Sequence, residues 1–381
     1  MSQKMETRCV HGGDHLFPDG RDSISMPIYQ TATFAHPDLG HSPDRFYYTR
    51  LTNPTRNMLE ETVSSLENAA STVAFTSGMA AITAVFEFFA PGDKILCSTD
   101  LYGGTVLLFD LVSKKNGLQL EFVDTTDPAA LTAAMGPDVK AIYIETPSNP
   151  MMNVTDIRFC ASLAKQYGAL LIVDNTFLSP YFQNPIELGA DIVIHSGTKY
   201  LGGHNDTLAG FVCLADDHLS EKLYKISYTM GSTLAPFDSW LMLRGIKTLA
   251  VRMERAQENA LAIAAFLKNH PKVKSVHYVG LPDHPGYEVN AKQARGSGGM
   301  LSFAVDSHET ALQVLAKVKI ITFAESLGGP ESLITLPVTQ THADVPEEER
   351  LKLGITDSLL RLSVGLENAQ DLIEDLRQAM E

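Results

Sequence analysis

The sequence has few cysteines, and they lie far apart. The four cysteines, Cys9, Cys97, Cys160 and Cys213, form no CxxC pair in a chain of 381 residues. Cys97 and Cys213 lie in apolar, strand-like runs, where we expect their thiols to be free and buried. This use of cysteine excludes a small disulfide-stapled fold and is typical of a reducing cytoplasm.

The sequence also lacks a long hydrophobic run. Its longest apolar stretch, residues 80–90, is broken by Glu87 and is too short to cross a bilayer. The first ten residues, MSQKMETRCV, lack the apolar stretch of a signal peptide. We therefore expect a cytoplasmic protein with no membrane partner.

Positive charge is scarce in this chain. Lys and Arg number 30 against 45 Asp and Glu, so the formal net charge is −15. The basic residues form no clustered run, and a surface that binds nucleic acid needs a basic patch. We expect a soluble, self-repelling surface and no nucleic-acid partner.

Motifs of several other enzyme classes are absent. The chain has no HExxH and no GxGxxG followed by an acid, which disfavours a dinucleotide-binding enzyme. Polar residues at 204–206 have no second ligand set at a suitable spacing, so we expect no metal site. Residues 196–199, SGTK, match the SxxK motif of serine penicillin-binding enzymes, but the SDN and KTG motifs are missing.

The composition is that of an ordinary globular protein, with 44% apolar and 20% charged residues. A chain of this length suggests two or three domains. Apolar strand-like runs occur at 72–75, 94–97, 120–123, 141–144, 170–173, 191–194 and 210–214, with helical stretches at 58–68, 77–89, 128–135 and 157–167. Continuous Val, Ile and Leu runs separated by helices indicate an α/β fold with a mainly parallel sheet.

The chain divides into three parts by pattern. Residues 1–57 are irregular and are expected to form an arm that contacts a neighbouring subunit, residues 58–240 form the α/β domain, and residues 241–381 form a smaller α+β domain. A long helical segment at 236–270 spans the start of the last part. The last part then has strand-like runs at 276–279, 300–305, 332–335 and 360–364, and helices at 309–318 and 368–380.

Polar clusters follow three of the predicted strands directly. They are ETPSNP after 141–144, DNTF after 170–173, and HSGTKYLGGHND after 191–194. In open α/β sheets, ligands bind outside the carboxyl ends of the strands. We expect the three clusters to converge on one pocket.

Two residues of these clusters match the needs of pyridoxal phosphate. Asp174 ends an apolar strand and can hold a ring nitrogen in its protonated form. Lys199 follows the next strand and can bond to the aldehyde. Either residue alone is more often structural, but the pair on this framework points to the cofactor.

A cradle for the phosphate is also predicted. FTSGMAA begins a helix directly after a strand, so Ser77, Gly78 and Met79 would offer backbone N–H groups at the positive helix end. Ser196 and Thr198 could add hydroxyl donors beside the lysine. Tyr102, in DLYGGT, could lie flat on the pyridine ring, although a packed core aromatic is the simpler interpretation.

The sequence resembles a known family. VDNTFLSPYFQNPIELGADIVIHSGTKYLGGHND resembles the lysine-bearing signature of the Cys/Met-metabolism family of pyridoxal-phosphate enzymes. Similar blocks extend along nearly the whole chain: PIYQTATF, YYTRLTNPTRN, FTSGMAAI, DLYGGT, ETPSNP, AESLGGPESLI, THADVPEEER and RLSVGLE. The resemblance implies an aspartate-aminotransferase-like fold and a homotetramer built from two active-site dimers.

The resemblance also implies roles for individual residues. Lys199 is then the Schiff-base lysine and, with Tyr102, catalytic; Asp174 pairs with the ring nitrogen. The expected cofactor-binding residues are Tyr48, Arg50, Ser77, Gly78, Met79, Tyr102, Asn149, Asp174, Ser196, Thr198 and Lys199. The expected substrate-binding residues are Arg361, which clamps the α-carboxylate, and Glu325, Ser326, Tyr48 and Asn149. Tyr48 and Arg50 would reach the phosphate of the neighbouring subunit.

The sequence indicates the exact reaction less clearly than it indicates the family. Glu325 before Ser326 resembles cystathionine γ-lyases and γ-synthases, and Gly104 replaces the cysteine typical of methionine γ-lyases. We expect a carbon–sulfur lyase that converts cystathionine to cysteine, 2-oxobutyrate and ammonia. The alternatives are a cystathionine γ-synthase that uses an O-acyl homoserine and, less favoured, a methionine γ-lyase or cystathionine β-lyase. A non-catalytic regulatory relative is disfavoured because Lys199 is present.

Overall fold

The computed structural model describes residues 3–13, 23–36, 39–40, 46–343 and 345–381. Parts of the predicted N-terminal arm and one residue of the THADVPEEER block lie outside these ranges. Among the described helices, none combines the length and apolar character needed to cross a membrane. Within the same ranges, no group of three His, Cys, Asp or Glu side chains could hold a metal ion.

A seven-stranded sheet forms the first layer of the fold. Its strands are β1 (Ser71–Phe75), β2 (Lys94–Ser98), β3 (Gln119–Val123), β4 (Val139–Glu145), β5 (Leu170–Asp174), β6 (Ile192–Ser196) and β7 (Gly210–Leu214). Their order is β1-β7-β6-β5-β4-β2-β3, and only β7 runs antiparallel to its neighbours. All seven predicted strands are confirmed to within two residues.

Helices cover both faces of this sheet. They are α1 (Met5–His11), α2 (Pro54–Glu67), α3 (Gly78–Phe86), α4 (Gly103–Asn116), α5 (Pro128–Ala134), α6 (Ile157–Tyr167), α7 (Ser179–Phe182) and α8 (Asp217–Met230), with a 3₁₀ turn at Pro185–Leu188. Side-chain caps fix several starts, as where Asn53 accepts the N–H of Thr55. The central strands are buried on both faces, which explains their unbroken apolar runs.

The prediction of an irregular N-terminus is wrong at one place. Residues Met5–His11 form the short helix α1, which buries Cys9. The sequence METRCVH has only about one apolar residue per helical turn. This is too few to show the periodic pattern from which a helix is predicted. Contact with α2 and with the later helix at Leu249–Lys268 therefore stabilises this segment.

The long helical segment predicted over 236–270 consists of two helices. The chain forms α9 (Pro236–Ile246) and α10 (Leu249–Lys268). The carbonyl of Gly245 accepts bonds from the hydroxyl of Thr248 at 3.0 Å and from Arg252 Nη2 at 2.8 Å. Because these side chains bind the carbonyl of Gly245 near the end of α9, the helix ends there. The proposed domain boundary at residue 240 stays a prediction and lies within α9.

A smaller, five-stranded sheet follows. Its strands are β8 (Val273–His277), β9 (Met300–Val305), β10 (Thr322–Phe323), β11 (Leu333–Thr335) and β12 (Leu359–Ser363), in the order β10-β11-β12-β9-β8. The pairs are antiparallel except β10 with β11. Helices α11 (Tyr287–Gln293), α12 (His308–Lys317), α13 (Glu347–Lys352) and α14 (Ala369–Met380), and a 3₁₀ turn at Pro337–Thr339, accompany the sheet. The predicted run at 276–279 is displaced, because the strand ends at His277.

Asp375 anchors the final helix α14 to the loop before β10. The carboxylate is buried and accepts the N–H groups of Lys319 at 2.8 Å, Ile320 at 2.8 Å and Ile321 at 2.9 Å. Without it, these consecutive donors would lose their acceptor. A charge-assisted bond of this kind is worth more than a neutral one.

We predict that Asp375→Ala lowers the free energy of unfolding by about 2–4 kcal/mol, because several N–H groups lose their partner at once. Urea denaturation followed by circular dichroism measures this change. Asp371→Ala, an exposed position on the same helix, is the matched control and should change stability by less than about 1 kcal/mol. Equal losses for the two variants would contradict the anchoring role.

Candidate active site

One cavity lies at the carboxyl edge of β4, β5 and β6. Its volume is about 380 Å³, and it is lined by Ser77, Gly78, Met79, Ile82, Tyr102, Glu145, Asn149, Asp174, Thr176, Phe177, Ser196, Thr198, Lys199, Leu208, Glu325, Ser326, Leu327, Thr341 and Arg361. The three polar clusters predicted to converge therefore do so. The smaller sheet contributes Arg361 from β12.

The start of α3 forms one wall of the cavity. Ser77 caps this helix by accepting the N–H of Ala80 at 3.1 Å. The first N–H groups of a helix have no acceptor within the helix, so they are available to an anion. A Cβ on Gly78 would lie 3.0 Å from the Cβ of Ser196, so glycine permits close approach of the two segments.

The turn after β6 carries the lysine. The N–H of Ser196 donates to the hydroxyl of Thr176 at 2.9 Å, and the N–H of Ala209 donates to the hydroxyl of Thr198 at 3.1 Å. The N–H of Lys199 closes the turn onto the carbonyl of Ser196 at 3.2 Å. These bonds fix the backbone from which the Lys199 side chain extends into the cavity.

Asp174 is the last residue of β5 and is buried. Its Oδ1 accepts the N–H of Thr176 at 3.0 Å and the hydroxyl of the same residue at 2.6 Å. Burial raises the pKa of this carboxyl, while the bonds from Thr176 and the nearby His195 partly offset that rise. A cationic group in the cavity would therefore find a strong partner here.

Glu145 is a cavity residue that our sequence reasoning missed. It is the last residue of β4 and pairs in register with Asp174 on β5. Burial and the charge of Asp174 raise the pKa of Glu145 well above its usual value. Its Oε2 accepts the backbone N–H of Tyr102 at 3.1 Å. The sequence does contain a signal for Glu145, because Glu145 is the first residue of the ETPSNP cluster just as Asp174 is the first residue of DNTF.

Tyr102 stands at the cavity beside the start of α4 and is 42% exposed. A Cβ on Gly104 would lie 2.6 Å from the ring atom Cε1 of Tyr102. The missing side chain at Gly104 therefore leaves room for the tyrosine ring. Any larger residue at position 104 would have to displace that ring.

Lys199 contacts Ser326, a residue with a strained backbone, on the other side of the cavity. Its Nζ donates to the Oγ of Ser326 at 2.8 Å. Burial and the charge of Arg361 lower the pKa of Lys199 to about 8, against a smaller opposing effect of Glu325. Ser326 has a φ of +87°, a region that residues with a side chain rarely occupy. Such strain is found where a functional group must be held in place.

Arg361 lies behind Ser326 and is buried. Its Nη1 donates to Oδ1 of Asn149 at 2.9 Å, and its Nη2 donates to the carbonyl of Ser326 at 3.1 Å. Its Nε is buried without a hydrogen-bond partner among the described residues. Burial lowers the pKa of Arg361 to about 10, so the guanidinium stays charged at neutral pH. It is a ready partner for a carboxylate.

Glu325 lies at the mouth of the cavity and is exposed. It also lines an adjoining cavity of about 710 Å³, together with Asp206 and Asp238. The two spaces share Glu325, Ser326 and Thr198 in their linings, so they adjoin each other at this point. A ligand held at Arg361 could extend past Glu325.

Tyr48 and Arg50 are not brought to this cavity within one chain. They line a separate cavity of about 370 Å³ with Thr31, Gly231 and neighbouring residues. The Nη1 of Arg50 donates to the carbonyl of Tyr228 at 2.6 Å, and its guanidinium lies 5.4 Å from the ring centre of Tyr48. The other predicted site residues do line the main cavity.

The geometry agrees with comparisons to known proteins. The family model "Cys/Met metabolism PLP-dependent enzyme" matches residues 6–381. Cystathionine gamma-lyase of Bacillus subtilis (strain 168) is 48% identical over 379 residues, covering 99% of each chain. Cystathionine gamma-synthase/O-acetylhomoserine (thiol)-lyase of the same organism is 46% identical over 380 residues, covering 100% of this chain and 97% of the relative. Cystathionine beta-lyase of Lactococcus lactis subsp. cremoris (strain MG1363) is 45% identical over 377 residues, covering 99% of each chain.

A solved structure leads to the same conclusion. Cystathionine gamma-lyase from Lactobacillus plantarum, complexed with L-serine, has a TM-score of 0.96 and 44% identity, covering 99% of this chain and 98% of that one. The predicted aspartate-aminotransferase-like α/β architecture and the cofactor are thereby confirmed. The cavity fits the cofactor, because an anion cradle at α3, a buried acid at Asp174 and a lysine of lowered pKa line one space. The chain belongs to the Cys/Met-metabolism family of pyridoxal-phosphate-dependent enzymes.

Proposed function

We propose that this enzyme cleaves the γ-carbon–sulfur bond of cystathionine and releases cysteine, 2-oxobutyrate and ammonia. The observation that carries the choice of cystathionine as substrate is Glu325, an acid at the cavity mouth beside Ser326 and Lys199. A carboxylate there can receive the distal ammonium group of cystathionine by a charge-assisted bond. The relatives named gamma-lyase, gamma-synthase and beta-lyase are similarly close, so they do not choose among these reactions.

The residues that would hold the cofactor follow from the cavity lining. The N–H groups of Gly78 and Met79, with Ser77, Ser196 and Thr198, would bind the phosphate. Asp174 would pair with the ring nitrogen, Tyr102 would stack on the ring, and Asn149 would contact its phenolic oxygen. When bound, pyridoxal phosphate supplies an electron sink for the charge that develops at the substrate Cα.

Arg361 would bind the α-carboxylate of the substrate. Its guanidinium is already fixed by Asn149 and the Ser326 carbonyl, and its Nε lacks a partner among the described residues. Two planar groups pair well in this arrangement, because guanidinium and carboxylate form parallel hydrogen bonds. The substrate amine and Cα would then be oriented toward Lys199.

Lys199 would move protons at the substrate. With a pKa of about 8, about a tenth of its amine is neutral at pH 7 and can take the proton from Cα. The hydroxyl of Ser326 accepts a hydrogen bond from this amine and so orients it. The phenol of Tyr102 would donate a proton to the leaving sulfur atom.

A γ-synthase reaction is the second candidate. It uses the same residues at Cα and is supported by the 46% identical relative that carries this name. Methionine γ-lyase is disfavoured because Gly104 lies under the Tyr102 ring, where that activity typically has a cysteine. We also propose that the enzyme is a cytoplasmic homotetramer in which Tyr48 and Arg50 reach the neighbouring subunit's phosphate.

Incubation with cystathionine and identification of the products tests the proposed reaction. The γ-lyase reaction yields 2-oxobutyrate and cysteine. Pyruvate and homocysteine would instead show a β-lyase and overturn the proposal. Faster formation of cystathionine from cysteine and an O-acyl homoserine than its cleavage would favour the γ-synthase.

The lowered pKa of Lys199 predicts how the reactivity of its amine changes with pH. In the cofactor-free enzyme, reductive methylation of Lys199 should reach half its maximal rate near pH 8, because only the neutral amine reacts. Lys94 is an internal comparison, since its hydrogen bond to Glu121 raises its pKa. Mass spectrometry of the two peptides measures both rates. A common pH curve for both lysines would show that the cavity does not lower the pKa of Lys199.

The role of Glu325 predicts a change in substrate preference. Glu325→Val should lower kcat/KM for cystathionine by roughly 10- to 100-fold, because the distal ammonium loses its partner. The kcat/KM for methionine or homocysteine should stay the same or rise. Steady-state kinetics measures the ratio of kcat/KM for cystathionine to kcat/KM for methionine, with the exposed Glu288→Val variant as control. An unchanged ratio would exclude Glu325 as the selecting residue.

A further inference from the structure

Arg56 is a buried arginine outside the main cavity. It lies in the first turn of α2 and is 2% exposed. A buried guanidinium is costly unless its donors are all engaged. An apolar side chain of similar size would fill this space without that cost. The arginine therefore marks a position where particular acceptors have to be held.

Two of those acceptors flank Arg50 in the chain. Nη1 of Arg56 donates to the carbonyl of Thr49 at 2.7 Å, and Nη2 donates to the carbonyl of Leu51 at 2.8 Å. One rigid, planar group therefore fixes the backbone on both sides of Arg50. The side chain of Arg50 itself lies at the exposed surface next to Tyr48.

The other contacts of Arg56 connect this segment to the sheet. Nη1 also donates to the carbonyl of Leu234 at 3.2 Å, and Nε lies 3.6 Å from Oε1 of Glu60. The same Glu60 oxygen accepts the N–H of Ala74 on β1 at 2.9 Å. Strand β1 leads into α3, where the phosphate cradle begins. The Arg50 segment is thus held relative to a rigid element.

We propose that Arg56 is a positioning residue that sets Arg50 and Tyr48 in place for the cofactor phosphate of a neighbouring subunit. This inference rests on the proposed function of Arg50 between subunits. Arg56 lines neither the main cavity nor the cavity at Arg50, and it acts through the backbone at 49–51. The bidentate geometry matters, because the planar guanidinium presents Nη1 and Nη2 to the two carbonyls in one fixed arrangement.

The affinity of the enzyme for pyridoxal phosphate, compared with pyridoxal, tests this role. Arg56→Met should raise the dissociation constant for pyridoxal phosphate by about 10-fold or more. It should leave the constant for pyridoxal unchanged, because pyridoxal has no phosphate. Arg295→Met is the control, since Arg295 also donates to backbone carbonyls, at Pro180 and Tyr181, but not to this segment. Equal weakening of both ligands, or of neither, would overturn the proposal.

A Lys replacement keeps the experiment decisive if the Met variant does not fold. Arg56→Lys retains the charge but lacks the rigid planar fork that holds the carbonyls of Thr49 and Leu51. It should show the same selective loss for the phosphorylated ligand. A Lys variant with the parent affinity for both ligands would mean that the charge alone is needed and would overturn the positioning role.

Arg50→Ala separates this inference from the function on which it rests. Parent-like affinity for pyridoxal phosphate in Arg50→Ala would contradict the role of Arg50 and leave Arg56 nothing to position. If Arg50→Ala does weaken affinity, adding Arg56→Met should cause little further loss. A full additional loss would mean that Arg56 acts independently of Arg50, and the proposal would fail.

Mixed oligomers show in which subunit Arg56 acts. In dimers of Arg56→Met with Lys199→Ala chains, the competent site has its lysine from the first chain and its Arg50 from the second. Its affinity for pyridoxal phosphate should return to that of the parent enzyme. Persistent weak affinity, in oligomers shown to be mixed, would place the action of Arg56 in its own subunit.

Discussion

The parallel alignment of β4, β5 and β6 is the constraint on which the rest of the site depends. Parallel strands end at one edge, so the residues that follow them meet in one space. Glu145 and Asp174 end paired strands, and Lys199 follows the next strand after a short turn. Because both faces of the sheet are covered, this edge is where polar groups can lie without breaking the core.

Opposite charges balance in a largely buried cavity. Burial raises the pKa of Asp174 and Glu145 and lowers that of Lys199 and Arg361. Each group is therefore shifted toward its neutral form and gains from an oppositely charged ligand. A cofactor with a cationic ring and an anionic phosphate, and an amino acid with a carboxylate, supply such partners. The smaller sheet matters here because it carries Arg361 into the cavity.

The sequence predicted the parts of the fold that follow from local pattern. The strands of the large sheet were found because each is a short apolar run between turn or helix signals. Asp174 was found because it directly follows such a run, and Lys199 because it lies in the polar cluster that follows the next one. The break between α9 and α10 was not predictable in this way, because Arg252 and Thr248 create it by binding the Gly245 carbonyl.

The cavity also contains residues to which the sequence pattern assigned no role. Thr341 lines it because a distant segment folds against the strand ends there. Glu145 opens a predicted polar cluster, but its significance comes from its register with Asp174 on the neighbouring strand. The family resemblance implied that Tyr48 and Arg50 serve a neighbouring subunit, and in the fold both line a cavity separate from that of Lys199 in their own chain.

Reduction of the cofactor-loaded enzyme with borohydride tests the central claim most directly, because it fixes the cofactor to the lysine that holds it. Digestion and mass spectrometry then identify the modified peptide. The account predicts a pyridoxyl group on Lys199, in the segment HSGTKYLGG. Modification of a different lysine, with Lys199 unmodified, would contradict the assignment of the cavity at the edge of β4, β5 and β6 as the cofactor site.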